Sequence, residues 1–226
     1  MANKKNTWLL LDFSTAQMGV GIFDGTKLNL KVFSATPDTN RKLVAIIQKF
    51  AMQFVEKKKQ DKLSSVHFSR VGVVSGPGTF TGLRTAAVIA NSIAFAMRNM
   101  GEKFDGIVTV DSLVSQLPHP IPDDCISVIP AGRDEVYLAR YTKGKKVGTM
   151  TVVALAHLGS IVEGGTELVG VLPHYQKDTA LKKIATTATK RRLMYLYDEM
   201  MSSKARLRDE IVPEYGKEPN ITIKKK

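Results

Sequence analysis

The spacing of apolar and polar residues changes several times along the 226-residue chain, and each change marks an element. Residues 7–13 contain the uninterrupted run Leu9-Leu10-Leu11, which predicts a strand buried on both faces. Further strands are predicted over 18–24 and over 27–34, where Leu28, Leu30 and Val32 alternate onto one face. Between these two, Asp24-Gly25 is a hairpin signal, because both residue types tolerate the positive φ of a tight turn. At Pro37-Asp38-Thr39 the pattern turns helical and runs to Lys57-Lys58-Lys59, cations that complement a helix C-terminus. A strand over 66–74, a Gly/Pro turn over 75–79, a helix over 81–100 and a strand over 106–110 complete this run.

A similar order then returns. Strands are predicted over 126–129 and 135–142 on either side of Ala131-Gly132-Arg133, then a strand over 146–153, a short helix over 154–162, a strand over 167–172 and a helix over 178–201. Strand, strand, strand, helix, strand, helix therefore occurs twice. The expectation is an α/β fold of two ribonuclease-H-like halves, each a mixed sheet flanked by helices, as in the actin and sugar-kinase superfamily. The N-terminal half is placed at 1–106 and a smaller C-terminal half at 107–226, with the turns near Ser14 and Gly132 pointing into the cleft between them.

Composition narrows the function classes. Thirty-three Lys+Arg against 21 Asp+Glu leave a net charge of +12, which favours acidic partners and nucleic acid above all. The basic stretches Lys190-Arg191-Arg192, Lys204/Arg206/Arg208 and Lys224-Lys225-Lys226 have two readings, an RNA-backbone track or a solvated helix face and tail. A single cysteine excludes a disulfide framework and a cysteine-based zinc site. The run Trp8-Leu9-Leu10-Leu11 is too short for a signal peptide, and no uninterrupted apolar stretch approaches the ~18 residues of a spanning helix. A cytoplasmic protein with no membrane contact is expected.

The strongest local motif is Ser75-Gly76-Pro77-Gly78-Thr79-Phe80-Thr81-Gly82-Leu83-Arg84, at the passage from strand to helix. One reading is a phosphate cradle, since glycines allow close approach and a helix start offers unpaired N–H groups. The other is a tight buried connection with Thr79 or Thr81 as cap. Without a Gly-Lys-Ser/Thr ending it is not a Walker loop. Catalytic equipment is sparse. His67, His119, His157 and His174 include no helical pair, and each of the first two reads as structural or surface. Asp12 ends the first strand, where ribonuclease-H-like enzymes place an acid, but nothing in the sequence makes Asp111 or Glu135 converge with it to hold a metal. Cys125 follows Asp123 and Asp124, whose charges suppress the thiolate, and reads as inert and half-buried. Ser75 lacks a Gly-x-Ser-x-Gly elbow.

Two helices carry more apolar surface than one core contact requires. Beyond a core stripe of Leu83, Ala86, Ala87, Ala90, Ile93, Ala94 and Met97, the helix over 81–100 presents Val88, Ile89, Phe95 and Ala96 around Ser92. Beyond Leu43, Ile46, Ile47, Phe50 and Phe54, the helix beginning near Thr39 presents Val44, Ala51, Met52 and Val55 around Gln48. A helix apolar nearly all round is normally covered on both sides. The cover is either another subunit or this chain's own C-terminal half.

The motif loop resembles the Gly-Pro-Gly-Ser/Thr-Phe-Thr-Gly-Leu-Arg signature of the TsaB family (older name YeaZ). Leu11-Asp12-Phe13-Ser14-Thr15 is similar to that family's opening Ile-Asp-Thr-Ser-Thr, with Phe13 in place of Thr. Ala131-Gly132-Arg133-Asp134-Glu135-Val136-Tyr137 resembles its Asp-Ala-Arg-x-x-Glu-Val-Tyr turn, with Pro130 where the Asp is expected. Pro213-Glu214-Tyr215-Gly216-Lys217-Glu218-Pro219 is similar to Pro-x-Tyr-x-Arg-x-Pro, with Lys217 for Arg. Residues 154–208 match only loosely. The resemblance implies a non-catalytic subunit of the machinery that makes threonylcarbamoyladenosine in tRNA. It implies a heterodimer with TsaD through N-terminal helices, a homodimer when TsaD is absent, association with the ATPase TsaE, and contact with tRNA through the complex. It also implies no cofactor on this chain, with metal and ATP on the partner subunits, and a vestigial cleft at Asp12, Ser14, Thr15, Arg133 and Glu135. The metal-binding His-x-x-x-His of TsaD is absent from this sequence. Two readings from other classes stand beside this one. An ATP-dependent phosphotransferase of the same superfold would need an early glycine in Phe13-Ser14-Thr15-Ala16-Gln17; a stand-alone RNA-binding module would use the basic stretches.

Overall fold

The computed structural model describes residues 6–53, 67–162, 166–172 and 179–217, with residues 40 and 179–185 described by backbone alone. Strand β1 (Trp8–Asp12) lies at the centre of a five-stranded sheet in the order β3-β2-β1-β4-β5, with β2 at Gln17–Phe23, β3 at Leu28–Ser34, β4 at Arg70–Gly76 and β5 at Gly106–Asp111. The β1–β2 and β2–β3 pairs are antiparallel, and β1–β4 and β4–β5 are parallel. Every β1 residue is buried, as the leucine run predicts. The second sheet repeats the plan in the order β8-β7-β6-β9, with β6 at Asp124–Gly132, β7 at Glu135–Thr142, β8 at Lys145–Ala154 and β9 at Glu167–Gly170. Its first two pairs are antiparallel and β6–β9 is parallel. Two mixed sheets of one topology, flanked by helices, are the two ribonuclease-H-like halves expected.

Several boundaries move for identifiable reasons. Thr36 caps α1 (Pro37–Arg41), accepting a hydrogen bond from Thr39 N–H at 3.0 Å, but the predicted single helix breaks at Lys42, where φ is −99° and ψ is 6°, before α2 (Leu43–Met52). The predicted helix end at 57–59 lies outside the described residues. Strand β4 begins at Arg70 rather than 66 because its partner β1 begins opposite at Trp8; His67 therefore precedes the strand, 3.5 Å from a Glu102 carboxylate oxygen. The predicted helix over 154–162 divides into a 3₁₀ turn, Leu155–His157, and α4, Leu158–Ile161. The first sheet runs to Asp111, past the division drawn at 106, because β5 pairs with β4.

Two helices cover the first sheet. On one side α3 (Phe80–Asn99) buries Leu83, Ala86, Ala87, Ala90, Ala94 and Met97, most of them in one core with Leu9, Leu11, Val71, Val73 and the buried face of α2. Among the described residues α3 is the one helix long and apolar enough to cross a membrane by length and composition, a property that counting uninterrupted apolar residues misses. That composition serves two faces of a helix packed on a sheet. On the other side α5 (Thr179–Met201) returns from the C-terminal half and places Leu193, Leu196 and Met200 against Trp8, Leu10, Val74, Val108 and Val110. Tyr197, partly buried, packs on this core beside Trp8 and Phe23, with ring centroids 4.9–6.1 Å apart.

The second sheet is held at one end by Asp124. Its carboxylate accepts two hydrogen bonds from Arg140, at 3.0 and 2.8 Å, and one from Thr166 at 2.7 Å, joining β6, β7 and the approach to β9. These bonds, Arg140 first, hold the Asp124 pKa down at about 2, against an ordinary value near 3.9. A carboxylate depressed on folding stabilises the native state above its unfolded pKa and loses that contribution as pH falls through the folded value. Unfolding temperature of the native chain should therefore fall more steeply than that of Asp124→Asn between about pH 4 and pH 2. Parallel pH profiles, followed by circular dichroism, would refute this assignment.

Candidate functional site

The four motifs meet at one junction between the halves. The loop after β4 passes under the β1–β2 turn: Thr79 N–H donates to Ser14 O at 2.8 Å, and the Thr79 hydroxyl donates to Phe13 O at 3.2 Å. A Cβ at Gly78 would overlap the Ser14 carbonyl, and one at Gly82 would overlap the Phe13 carbonyl, so both glycines are required by close backbone approach. Gly76 adopts φ of 137° against Glu214 O. Ser112 fastens the loop from below, donating from its N–H to Gly76 O at 2.8 Å and from its hydroxyl to Pro77 O at 2.5 Å. This is the tight buried connection, with the residues 75–78 buried. Thr79 is the N-cap of α3, yet its hydroxyl is spent on Phe13 O rather than on the helix. Thr81 and Arg84 are exposed.

The C-terminal segment crosses the same loop. Glu214 N–H donates to Ser75 O at 2.9 Å, the Ser75 hydroxyl donates to a Glu214 carboxylate oxygen at 3.3 Å, and Tyr215 stacks on Phe80 at 4.5 Å. It then reaches the second half. Tyr137 O–H donates to Tyr215 O at 3.3 Å, and Lys217 pairs with Glu135. Burial, then the Glu135 charge, raises the Tyr137 pKa and keeps its hydroxyl a donor. The lysine at the position of the family's arginine thus has a defined partner in the turn motif.

Asp12, Ser14 and Thr15 form a second part of the junction. Asp12 Oδ1 accepts from Ser14 N–H at 3.1 Å and from the Ser14 hydroxyl at 2.6 Å. Its Oδ2 accepts from Arg192 Nε at 2.7 Å, and both side chains are 0% exposed. Arg192 also donates to Gln116 Oε1 at 3.0 Å, Thr189 Oγ1 at 2.9 Å and Thr15 Oγ1 at 3.3 Å. Gln116 continues into the second sheet, donating to Ser127 Oγ at 2.7 Å and Val128 O at 2.9 Å. Of the five residues assigned to a vestigial cleft, Arg133 does not join this set: it is exposed, at φ of 51°, at the tip of the β6–β7 turn. Glu135 faces Lys217 instead.

Sequence reasoning missed Arg192, reading it as part of an exposed basic run. The available signal was its spacing: Ala188, Arg192, Leu196 and Met200 follow at every fourth position, and all four are buried. In the same run Arg191 donates to Gln116 O at 3.2 Å, and Lys190 is exposed. Lys204, Arg206 and Arg208 are exposed, while 224–226 lie outside the described residues.

The three acids named as metal candidates are each committed. Asp12 is bonded as described, Glu135 to Lys217, and Asp111 Oδ1 accepts from Leu113 N–H at 2.6 Å and Val114 N–H at 3.3 Å in its own turn. Among the described residues no three His, Cys, Asp or Glu side chains are placed to hold a metal. Cys125 is fully buried rather than half-buried; burial, then Glu167 and Asp124, raises its pKa, and the thiol is held protonated.

The helix face behaves differently. Val44 is 58% exposed, Met52 44%, Val88 57% and Phe95 69%, with Ser92 exposed and Gln48 half-buried beside them. Among the described residues the C-terminal half leaves these side chains exposed: α5 packs on the opposite side of the sheet, and the segment at 209–211 meets α3 at Arg98 and Asn91 instead. Ala51 belongs to the core, because its position on α2 faces inward with Ile47 and Phe50. Val55 lies outside the described residues.

Gly82→Ala should destabilise the chain by about 1–3 kcal/mol, because the new methyl must displace β1–β2 backbone. Thermal unfolding equal to the native chain's would contradict the packing described.

The family model described as TsaD: tRNA N6-adenosine threonylcarbamoyltransferase matches residues 40–201. YeaZ from Pseudomonas aeruginosa superposes with a TM-score of 0.64 at 18% identity, covering 93% of this chain and 99% of that chain. A second Pseudomonas aeruginosa structure, of an uncharacterized protein with similarity to peptidase YeaZ, superposes with a TM-score of 0.64 at 17% identity and the same coverage. At these identities the likeness is one of fold. No curated protein matches the chain.

Proposed function

The chain belongs to the TsaD family of tRNA N6-adenosine threonylcarbamoyltransferases, a family of tRNA modification, and from that premise we propose that it is a non-catalytic subunit of the TsaB (YeaZ) kind. Its task in this reading is to bind and support TsaD during threonylcarbamoyl transfer to the adenosine beside the anticodon. TsaD supplies metal and the transfer chemistry, TsaE supplies ATP hydrolysis, and tRNA is met through the complex in the cytoplasm. The observation that carries the proposal is the exposed apolar surface of Val44 and Met52 on α2 and of Val88 and Phe95 on α3, two helices that share one core. Fully burying one such side chain is worth roughly 1.5–3 kcal/mol, so four offset much of the ~4–15 kcal/mol cost of association. The committed acids at the junction support a supporting role over a catalytic one. An ATP-dependent phosphotransferase is disfavoured because the turn after β1 is filled by backbone of the motif loop.

Met52→Glu combined with Val88→Glu should abolish co-purification with TsaD while leaving the unfolding temperature within a few degrees of native, since both positions are exposed. Undiminished TsaD capture by the double variant would remove the stripe as the interface. Tight stoichiometric Mg-ATP binding by the isolated chain in calorimetry would favour the phosphotransferase instead.

A further inference from the structure

We propose that the edge of the first half between β5 and α3 is a groove for an extended peptide, and that the chain's own segment at 207–215 is its resident, releasable ligand. Strand β5 is an edge strand of its sheet, and a rung from the far end of the sequence is added to it: Arg208 N–H donates to Ile107 O and Ile107 N–H donates to Arg208 O, both at 2.9 Å. Asn91 on α3 then holds Ile211 by its backbone, donating from Nδ2 to Ile211 O at 2.9 Å and accepting from Ile211 N–H at 3.0 Å. With Glu214 N–H donating to Ser75 O, these bonds grip main chain, whatever side chains it carries. Three side chains set the register. Arg98 donates to Asp209 Oδ1 at 2.7 Å, Ile211 enters the core of the first half, and Tyr215 stacks on Phe80. The ligand pattern is therefore an acid, an aliphatic residue two positions on and an aromatic four beyond that.

The groove is shaped by the first half. Gly106 and Gly76 leave room where the segment's backbone passes: a Cβ at Gly106 would press on Leu207 and Arg208 O, and one at Gly76 would overlap Glu214 O. The segment itself is lightly held. Ile211 is the one residue of 207–215 that is buried, whereas Leu207 is 43% and Val212 76% exposed. Few buried apolar contacts and bonds close to solvent mark a unit that opens without global unfolding. Release leaves both sheets intact and frees the edge of β5 and the Asn91 amide for another peptide of the same pattern. This site goes beyond the docking reading and holds whether or not TsaD binds α2 and α3.

Hydrogen exchange of the native full chain is the first test. The amides of Ile107, Arg208, Ile211 and Glu214 should exchange as one group, roughly 100-fold faster than those of Leu9 to Leu11 in β1. Exchange of the four at the β1 rate overturns the proposal. The second test uses full-length Ile211→Asp, which ejects the resident segment, and a fluorescein-labelled peptide of residues 206–217. That variant should bind the peptide at least about tenfold more tightly than the native chain, whose own segment competes at high effective concentration. Adding Arg98→Asp should remove binding of this peptide and restore it for a peptide carrying Asp209→Arg. Equal affinity of the native and Ile211→Asp chains, or failure of the charge exchange to rescue binding, overturns the proposal. If Ile211→Asp does not fold, the exchange pattern of the native chain decides alone.

Discussion

One buried ion pair ties the molecule together. Asp12 ends the central strand of the first sheet, Arg192 rises from a helix belonging to the second half of the chain, and neither touches solvent. Removing charges from water costs several kcal/mol per ion, and the pair repays this only when the remaining donors and acceptors are satisfied. Here they are, by Ser14 on one side and by Thr15, Gln116 and Thr189 on the other. Loss of one partner from such a pair typically costs about 3–5 kcal/mol, because the other is left charged and buried. Through Gln116 the same network reaches Ser127 and Val128 on β6, so the position of one sheet relative to the other depends on it.

Around this pair the motifs act as packing devices. The glycines of the loop at 75–84 admit carbonyl oxygens of the β1–β2 turn, and the C-terminal segment closes over both. Polar side chains that elsewhere could serve chemistry are spent on holding backbone: Thr79 on Phe13 O, Ser112 on Pro77 O, Asp111 on its own turn. The apolar surface of α2 and α3 is, by contrast, unspent. The polar groups of the junction are bonded within the chain, while Val44, Met52, Val88 and Phe95 on α2 and α3 stand exposed.

The spacing of residues revealed a large share of this. The leucine run marked β1 as buried on both faces and the repeated element order revealed the two halves; of the second stripe on α3, Val88 and Phe95 stand exposed while Ile89 and Ala96 are half-buried. Errors arose where long-range contacts set the outcome. Ala51 is indistinguishable in period from an outward residue until α2 is docked, and Glu135 looks like a cleft acid until Lys217 arrives from the far end of the chain. Arg192 looked solvated because its neighbours are basic, and only the helix phase set by Leu196 and Met200 contradicted that.

Sequence alone determined the class of fold, the sites of the turns and the apolar excess of two helices, because each follows from local period, backbone freedom and composition. The tertiary structure decided which charges are buried, which motif meets which, and which helix face is left uncovered. Those outcomes depend on contacts between residues as far apart as Asp12 and Arg192: the helix period turns Arg192 inward, but its partner is set by how α5 crosses back over the first sheet.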